Sequence, residues 1–168
     1  MAKTAKPAGK KSDAKKAPAK QTAAKNATTA KAARTIKYTD KSDGQPLLAP
    51  IFSSLRQILL QQVKGPLAVA NDKPGQVHVY SKKTVIVMGK KRDSMYFASA
   101  IVQKGYVGFY FMPVYSHVFL KKEIAPELLK CLKGKACFHI KKWDDALKTH
   151  IQQALQAGYA CYEKNGWV

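Results

Sequence analysis

Closely spaced lysines near the N-terminus are the residues whose spacing most clearly suggests a chemistry. Basic side chains recur at short intervals among alanines, at Lys3, Lys6, Lys10, Lys11, Lys15, Lys16, Lys20, Lys25, Lys31 and Arg34. Ammonium groups along a flexible chain can each reach a phosphate without fixed geometry, and such contacts do not read the base sequence. The spacing therefore predicts non-specific contact with nucleic acid, in particular DNA. The alternative is a segment that only keeps the protein in solution.

The cysteines and histidines could offer metal or thiol chemistry, but their spacing matches no known site. The three cysteines are Cys131, Cys137 and Cys161. An odd number without a Cys-x-x-Cys pair predicts neither a disulfide framework nor a zinc knuckle. Cys137 and His139 share a strand face and could bind a soft metal with His117 or His150, but the spacing alone does not bring three or four ligands together. We predict no metal, no cofactor and free thiols, which are typical of a reducing cytoplasm.

Nucleophilic and acid–base chemistry have no support in the motifs of this sequence. Ser94, Ser99 and Ser116 lie outside any Gly-x-Ser-x-Gly context, and we find no Gly-rich phosphate loop and no catalytic pair of carboxylates. The adjacent Asp144 and Asp145 are explained more simply by the start of a helix, where the helix dipole favours negative charge. We therefore predict no catalytic residues and a protein that is not an enzyme.

The aromatic run at 104–111 is a further candidate site. Its two ends partly match the RNA-recognition signature, but Val107 and Gly108 break the middle of that motif. The order of the expected elements also differs from the RNA-recognition fold, which needs a helix between its first and second strands. The sequence therefore does not predict an RNA-recognition domain.

A shallow platform for bases or a small ligand is predicted from the same strand. Alternation along a strand places tyrosine and glycine together on one face, at Tyr106, Gly108 and Tyr110. The preceding strand has a similar mixture at Tyr96, Ala98 and Ala100. If helices cover the Val107 and Phe109 face, then Tyr96, Tyr106 and Tyr110 form the platform. The alternative is a second apolar layer under a loop or a partner.

Two parts of the chain, with different compositions, must position these residues. The 168 residues carry a formal net charge of +20, and 46% of them are hydrophobic, which excludes a fully disordered protein. Residues 1–41 hold 12 basic and two acidic residues, and no Val, Ile, Leu or aromatic residue precedes Ile36. We predict a disordered basic tail over 1–41 and a folded domain over 46–168. The 127 residues that follow position 41 carry the other half of the net charge. We expect no transmembrane helix and no targeting segment, because no apolar run is long enough.

The folded domain reads as one α+β unit. Apolar residues recur with a helical period over 47–64, and Gly65-Pro66 ends that helix. A turn-rich stretch at 71–75 precedes short strands, predicted at 77–80, 84–88, 95–102, 106–112 and 136–140. A short helix is predicted at 127–132, and a final helix starts at Asp144-Asp145. We predict an antiparallel sheet of about five strands with the N- and C-terminal helices packed on one face. The basic residues of the domain fall mostly in connections, so we expect its charge to be spread rather than gathered in one groove.

The folded part resembles a known family. The residues that carry the resemblance are Phe97-Ala98, the run from Lys104 to Tyr110, the Gly134-Lys135 turn leading to Phe138, and the amphipathic last helix. Over about 46–163 these look like the YdhG-like domain of small bacterial proteins. The resemblance implies a frataxin-like fold. The Ala-Lys-Lys-Ala-Pro-Ala-Lys pattern at 14–20 looks like the tails of linker histones and of bacterial histone-like proteins.

The resemblance also implies a possible metal function, since one YdhG-like protein is known as an iron chaperone and frataxins hold iron with acidic residues on the first helix. The helix predicted at 47–64 has no Asp or Glu, so it lacks the carboxylates that attract a hard cation. We therefore expect a non-enzymatic cytoplasmic protein, nucleoid-associated if its tail binds DNA, with no membrane contact. The alternative is a small-molecule or iron carrier with a merely solubilising tail.

Overall fold

The computed structural model describes residues 39–168, which belong to one compact unit. The ten basic residues from Lys3 to Arg34 that are predicted to contact nucleic acid lie outside the described residues, as does most of the predicted tail. Just inside the described part, Lys41 donates a hydrogen bond from Nζ to Oε1 of Gln103, and Gln45 Oε1 accepts one from the Gly105 backbone. The segment before the first helix is therefore held against the 103–105 turn.

Helices and strands are grouped along the chain as in an α+β protein, with six consecutive strands after the first helix. The helices are α1 (Leu48–Gln61), α2 (Pro113–Ser116), α3 (Pro126–Lys130) and α4 (Asp145–Lys164), with a 3-10 turn at Val118–Lys122. The strands are β1 (Leu67–Lys73), β2 (Gln76–Ser81), β3 (Val85–Val87), β4 (Lys90–Arg92), β5 (Met95–Gln103), β6 (Tyr106–Phe111), β7 (Leu132–Lys133) and β8 (Cys137–Ile140). The predicted α+β class is confirmed.

Six strands form the main sheet, in the order β1-β2-β5-β6-β8-β7, with every neighbouring pair antiparallel. The prediction of about five strands was one short, and β3 and β4 form a separate two-stranded sheet. The predicted strand at 84–88 therefore does not join the main sheet. It pairs with Lys90–Arg92, a segment predicted to be a loop, through a two-residue turn at Met88 and Gly89.

The hydrophobic core lies between the main sheet and the long helices α1 and α4. Leu55 and Leu59 of α1, Leu155 of α4 and the sheet residues Phe97 and Phe109 are all fully buried in one cluster. Both helices were predicted because their apolar residues recur with the helical period. Asp144 accepts a hydrogen bond from the Leu147 backbone at 2.7 Å and so caps α4, as the two adjacent aspartates indicated.

Strand β1 was missed because its second half looks like a turn. Residues 71–73 are polar and stand before Pro74-Gly75, yet they pair with β2 at the edge of the sheet. An edge strand tolerates polar residues, since one side of it is open to solvent. Asp72 is also held by Arg56 of α1, whose Nε and Nη2 donate to the two carboxylate oxygens at 2.8 and 2.6 Å. Residues 71–73 therefore form a strand because of contacts with residues distant in sequence, which their own side chains do not reveal.

Candidate functional site

Tyr96, Tyr106 and Tyr110 lie on one face of the main sheet, opposite the face that packs against the helices. Along β6, Val107 and Phe109 are fully buried in the core, whereas Tyr106 and Tyr110 are half-buried. The alternation expected for this strand is therefore present. We call this side of the sheet the tyrosine face.

A bulge in β5 changes which residues share that face. Tyr96 is paired with Tyr80, but Ala98 is paired with Val79, so Phe97 is an extra residue in the strand. Because one extra residue reverses the alternation, Ala98 and Ala100 lie on the core side and are fully buried. The prediction that they share a face with Tyr96 was wrong.

Tyr96 is fixed by its neighbours on the tyrosine face. Its hydroxyl is hydrogen-bonded to Ser99 Oγ at 2.5 Å, and its ring centroid lies 4.9 Å from that of Tyr80. Burial raises the pKa of the Tyr96 hydroxyl well above its usual value, so the group stays protonated. This side chain is therefore a hydrogen-bonded part of a packed layer.

Tyr106 and Tyr110 are also held by sheet neighbours. The Tyr106 ring stacks on His139 of β8 with centroids 3.8 Å apart and an interplanar angle of 11°. The Tyr110 ring lies over Gly108, where an added Cβ would be 2.8 Å from its Cε2 atom. Burial, with Cys137 close by, raises the pKa of Tyr110 to about 12. One side of Tyr106 is thus already covered, which limits base stacking at this ring.

A cleft of about 490 Å³ opens between α3, β8 and the start of α4. We call it the lysine cleft. Its basic lining residues are Lys130, Lys133, Lys141 and Lys142, with the imidazoles of His139 and His150. The expectation that the domain's charge is spread was wrong here, because lysines from α3, from β7 and from the connection between β8 and α4 line one cleft. One feature of the sequence could have indicated this cleft. Two of the lysines precede the strand β8 and two follow it, so all four lie near that strand in the chain.

The remaining cleft residues are two carboxylates, a thiol and apolar side chains. Asp144 is engaged as the cap of α4, while Glu127 lies in the first turn of α3. Burial is the main cause that raises the pKa of Cys131, so its sulfur is a thiol rather than a thiolate at neutral pH. The apolar lining comes from Ala146 and Leu147. This set of residues suits binding of an anion better than nucleophilic attack.

The metal group considered from the sequence is not assembled. Both ring nitrogens of His117 have other partners, since Nδ1 is 2.9 Å from Ser116 Oγ and Nε2 is 2.8 Å from Asn165 Nδ2. Cys137 and His139 do share a face, and His150 lies in the lysine cleft. Among residues 39–168, no three or more His, Cys, Asp or Glu side chains are grouped so that they could hold a metal ion.

The two-stranded sheet of β3 and β4 presents basic and apolar side chains together. We call this hairpin, residues 82–92, the basic ribbon. Its basic residues are Lys82, Lys83, Lys90, Lys91 and Arg92. Near the turn, Ile86 is 75% and Met88 95% exposed. Lys91 lies 3.8 Å from Asp93 in a solvent-exposed pair, which leaves most of the positive charge uncompensated.

Comparison with protein-family models, with curated proteins and with solved structures found no match. The YdhG-like resemblance and the frataxin-like fold therefore stay predictions. Within the part of the chain that the structure describes, no helix is both long enough and apolar enough to cross a membrane.

Proposed function

We propose that this is a non-enzymatic cytoplasmic protein that binds nucleic acid without sequence specificity, through its N-terminal lysines and the basic ribbon of a YdhG-like domain. The observation that carries the proposal is the ribbon, because it places five basic residues and exposed apolar side chains on one hairpin. The DNA major groove is wide enough to admit a two-stranded ribbon, and lysine and arginine side chains beside it can reach both phosphate backbones.

The N-terminal lysines supply the second part of the interface. Each ammonium that neutralises a phosphate releases a counterion, so binding weakens as salt rises. If roughly six to eight of the ten basic residues from Lys3 to Arg34 engage, log K against log salt should have a slope of about −5 to −7. Such contacts fix no base, which makes the proposed binding independent of sequence.

Electrophoretic mobility shifts with duplex DNA test this proposal. The full chain should shift DNA at low salt, and deletion of 1–38 should remove most of the affinity and of the salt slope. In the full chain, the double substitution Lys90→Gln/Lys91→Gln should lower the magnitude of the salt slope by about 2, one unit for each lost phosphate contact. Lys141→Gln/Lys142→Gln removes the same charge from the lysine cleft and is the matched control, with a smaller expected effect. Absence of any shift by the full chain at low salt would refute the proposal.

A carrier of a small molecule or of iron is the second candidate function. The observation in its favour is the lysine cleft, whose volume lies within the range typical of ligand sites. The metal version predicts stoichiometric binding when the protein is titrated with iron or zinc. A titration that shows no saturable binding would exclude it and leave only an organic ligand.

A further inference from the structure

We propose that the lysine cleft binds a small phosphate monoester with an apolar body. This inference is independent of nucleic-acid binding, since the cleft and the basic ribbon share no residue. It rests on three properties of the cleft: the sign and size of its charge, its shape, and the fixed position of one imidazole.

The charge of the cleft matches a dianion. Four lysines face two carboxylates, which leaves a formal surplus of two positive charges. The Asp144 carboxylate already accepts the Leu147 backbone hydrogen bond, so it is bound to its own helix. A phosphate monoester carries about −1.5 to −2 charges at neutral pH, whereas a carboxylate or a DNA phosphodiester carries only one. The cations are all lysines, which act as point charges toward phosphate and do not need a planar partner.

The cleft can also hold the body of such a ligand. Its volume of about 490 Å³ exceeds what one phosphate group fills. Ala146 and Leu147 give it an apolar lining, and apolar surface of a ligand buried against them would favour binding. Inorganic phosphate alone would leave that contribution unused. We therefore infer that the ligand combines a phosphate with an apolar group.

The histidine lining is partly fixed in advance. The stack on Tyr106 holds the His139 ring in place, so little side-chain entropy remains to be lost when a ligand contacts it. His150, on α4, also lines the cleft, and its buried Nδ1 has no hydrogen-bond partner in the described part of the chain. Buried polar atoms without a partner are uncommon in folded proteins, and they often mark functional positions. The cleft therefore offers one imidazole that is held in position and a second whose Nδ1 has no partner among the described residues.

Isothermal titration calorimetry of the full chain with phenyl phosphate tests the proposal. Benzoate and inorganic phosphate serve as comparison ligands, each lacking one of the two required features. We expect saturable binding of phenyl phosphate with a stoichiometry of one, and at least tenfold weaker binding of each comparison ligand. Lys141→Gln/Lys142→Gln should weaken phenyl phosphate binding at least tenfold, since both side chains are exposed and their replacement should not disturb the fold.

The matched control is Lys90→Gln/Lys91→Gln, which removes the same charge from the basic ribbon and should leave phenyl phosphate binding within twofold. If both variants weaken binding equally, the effect is one of overall charge and the cleft assignment is wrong. Equal binding of benzoate would overturn the phosphate assignment, and equal binding of inorganic phosphate would overturn the apolar one. Because the DNA shift is measured on the same variants, loss of one activity is distinguishable from loss of the other.

Discussion

Gly158 is the residue on which the closest approach of α4 to the sheet depends. A Cβ atom added there would lie 2.9 Å from Pro113 Cγ and closer still to the buried ring of Phe111. Neither neighbour is the free end of a flexible side chain, so the helix or the ring would have to move. Glycine in mid-helix costs about 1 kcal/mol relative to alanine, and the close packing explains its presence here.

Gly158→Ala should lower the free energy of unfolding. Overpacking costs typically about 1–3 kcal/mol, of which the better helix propensity of alanine recovers at most about 1 kcal/mol. Urea unfolding measures the difference. The control is Ala160→Gly on the exposed side of the same helix, which reports the propensity difference alone. A Gly158→Ala protein as stable as the parent would show that α4 can shift without cost.

The ion pair between Arg56 and Asp72 makes the stability of the fold depend on pH. Hydrogen bonds from Arg56 hold the pKa of Asp72 below its usual value of 3.8. Because the folded-state pKa is lower than the unfolded one, the stabilisation is present above about pH 4 and is lost as pH falls through the folded-state pKa. Both side chains are partly exposed, so the ion pair contributes only modestly to the free energy of unfolding.

Arg56→Gln should bring the Asp72 pKa back toward 3.8, as followed by carbon NMR of the carboxyl group. The difference in unfolding free energy between parent and variant should shrink as the pH is lowered below 3.8. Asp72→Asn is the control, since it removes the titrating group. A difference that stays constant down to acidic pH would mean that the ion pair does not stabilise the fold.

The turn of the basic ribbon has a backbone conformation that is unfavourable for one of its residues, Met88. This turn has positive φ at both central residues, 50° at Met88 and 73° at Gly89. Glycine adopts such angles at no cost and asparagine at little, whereas a long side chain is strained. Strain kept in an exposed turn often accompanies function, and here it keeps an apolar side chain at the tip.

Met88→Asn should stabilise the ribbon, with slower amide hydrogen exchange at 85–92. Met88→Ala removes the apolar side chain but keeps an unfavourable residue in the turn, so it should not slow exchange. If the tip contacts DNA, both variants should weaken binding despite their different effects on the turn. Equal exchange rates in both variants would show that the turn is not strained.

Elements whose pattern is set locally could be predicted from the sequence. Helices α1 and α4 show the helical period, and the β5–β6 turn contains Gly105 at φ 81°. Helix α4 begins at the expected aspartates, whereas α1 ends at Gln61, earlier than the predicted end at Gly65-Pro66. By contrast, β1 depends on pairing with β2 and on the Arg56 contact, neither of which appears in its own residues. Short elements such as α2 and β7 are too brief to show a period.

At the scale of the whole molecule, composition suggests a polyanionic partner but does not indicate where on the domain such a partner would bind. Half of the net charge lies within 1–41, and the rest was expected to be scattered over loops. Nine of the 18 basic residues of 42–168 belong to the lysine cleft or to the basic ribbon. The ribbon residues are already close in sequence, whereas the cleft depends on how α3, β7 and the β8–α4 connection pack.

The bulge at Phe97 has a consequence for how this protein can change over evolution. Substitutions on either side of it alter one side chain at a time, whereas loss of a single residue between Tyr96 and Ala98 would restore strict alternation through β5. Such a deletion would leave Tyr96 and Ser99 on the tyrosine face and Ala98 in the core, but it would remove the buried Phe97 ring, which packs against Phe111 and Tyr162. We therefore expect descendants of this chain to keep a large apolar residue at position 97 and to vary mainly at the partly exposed positions of β5.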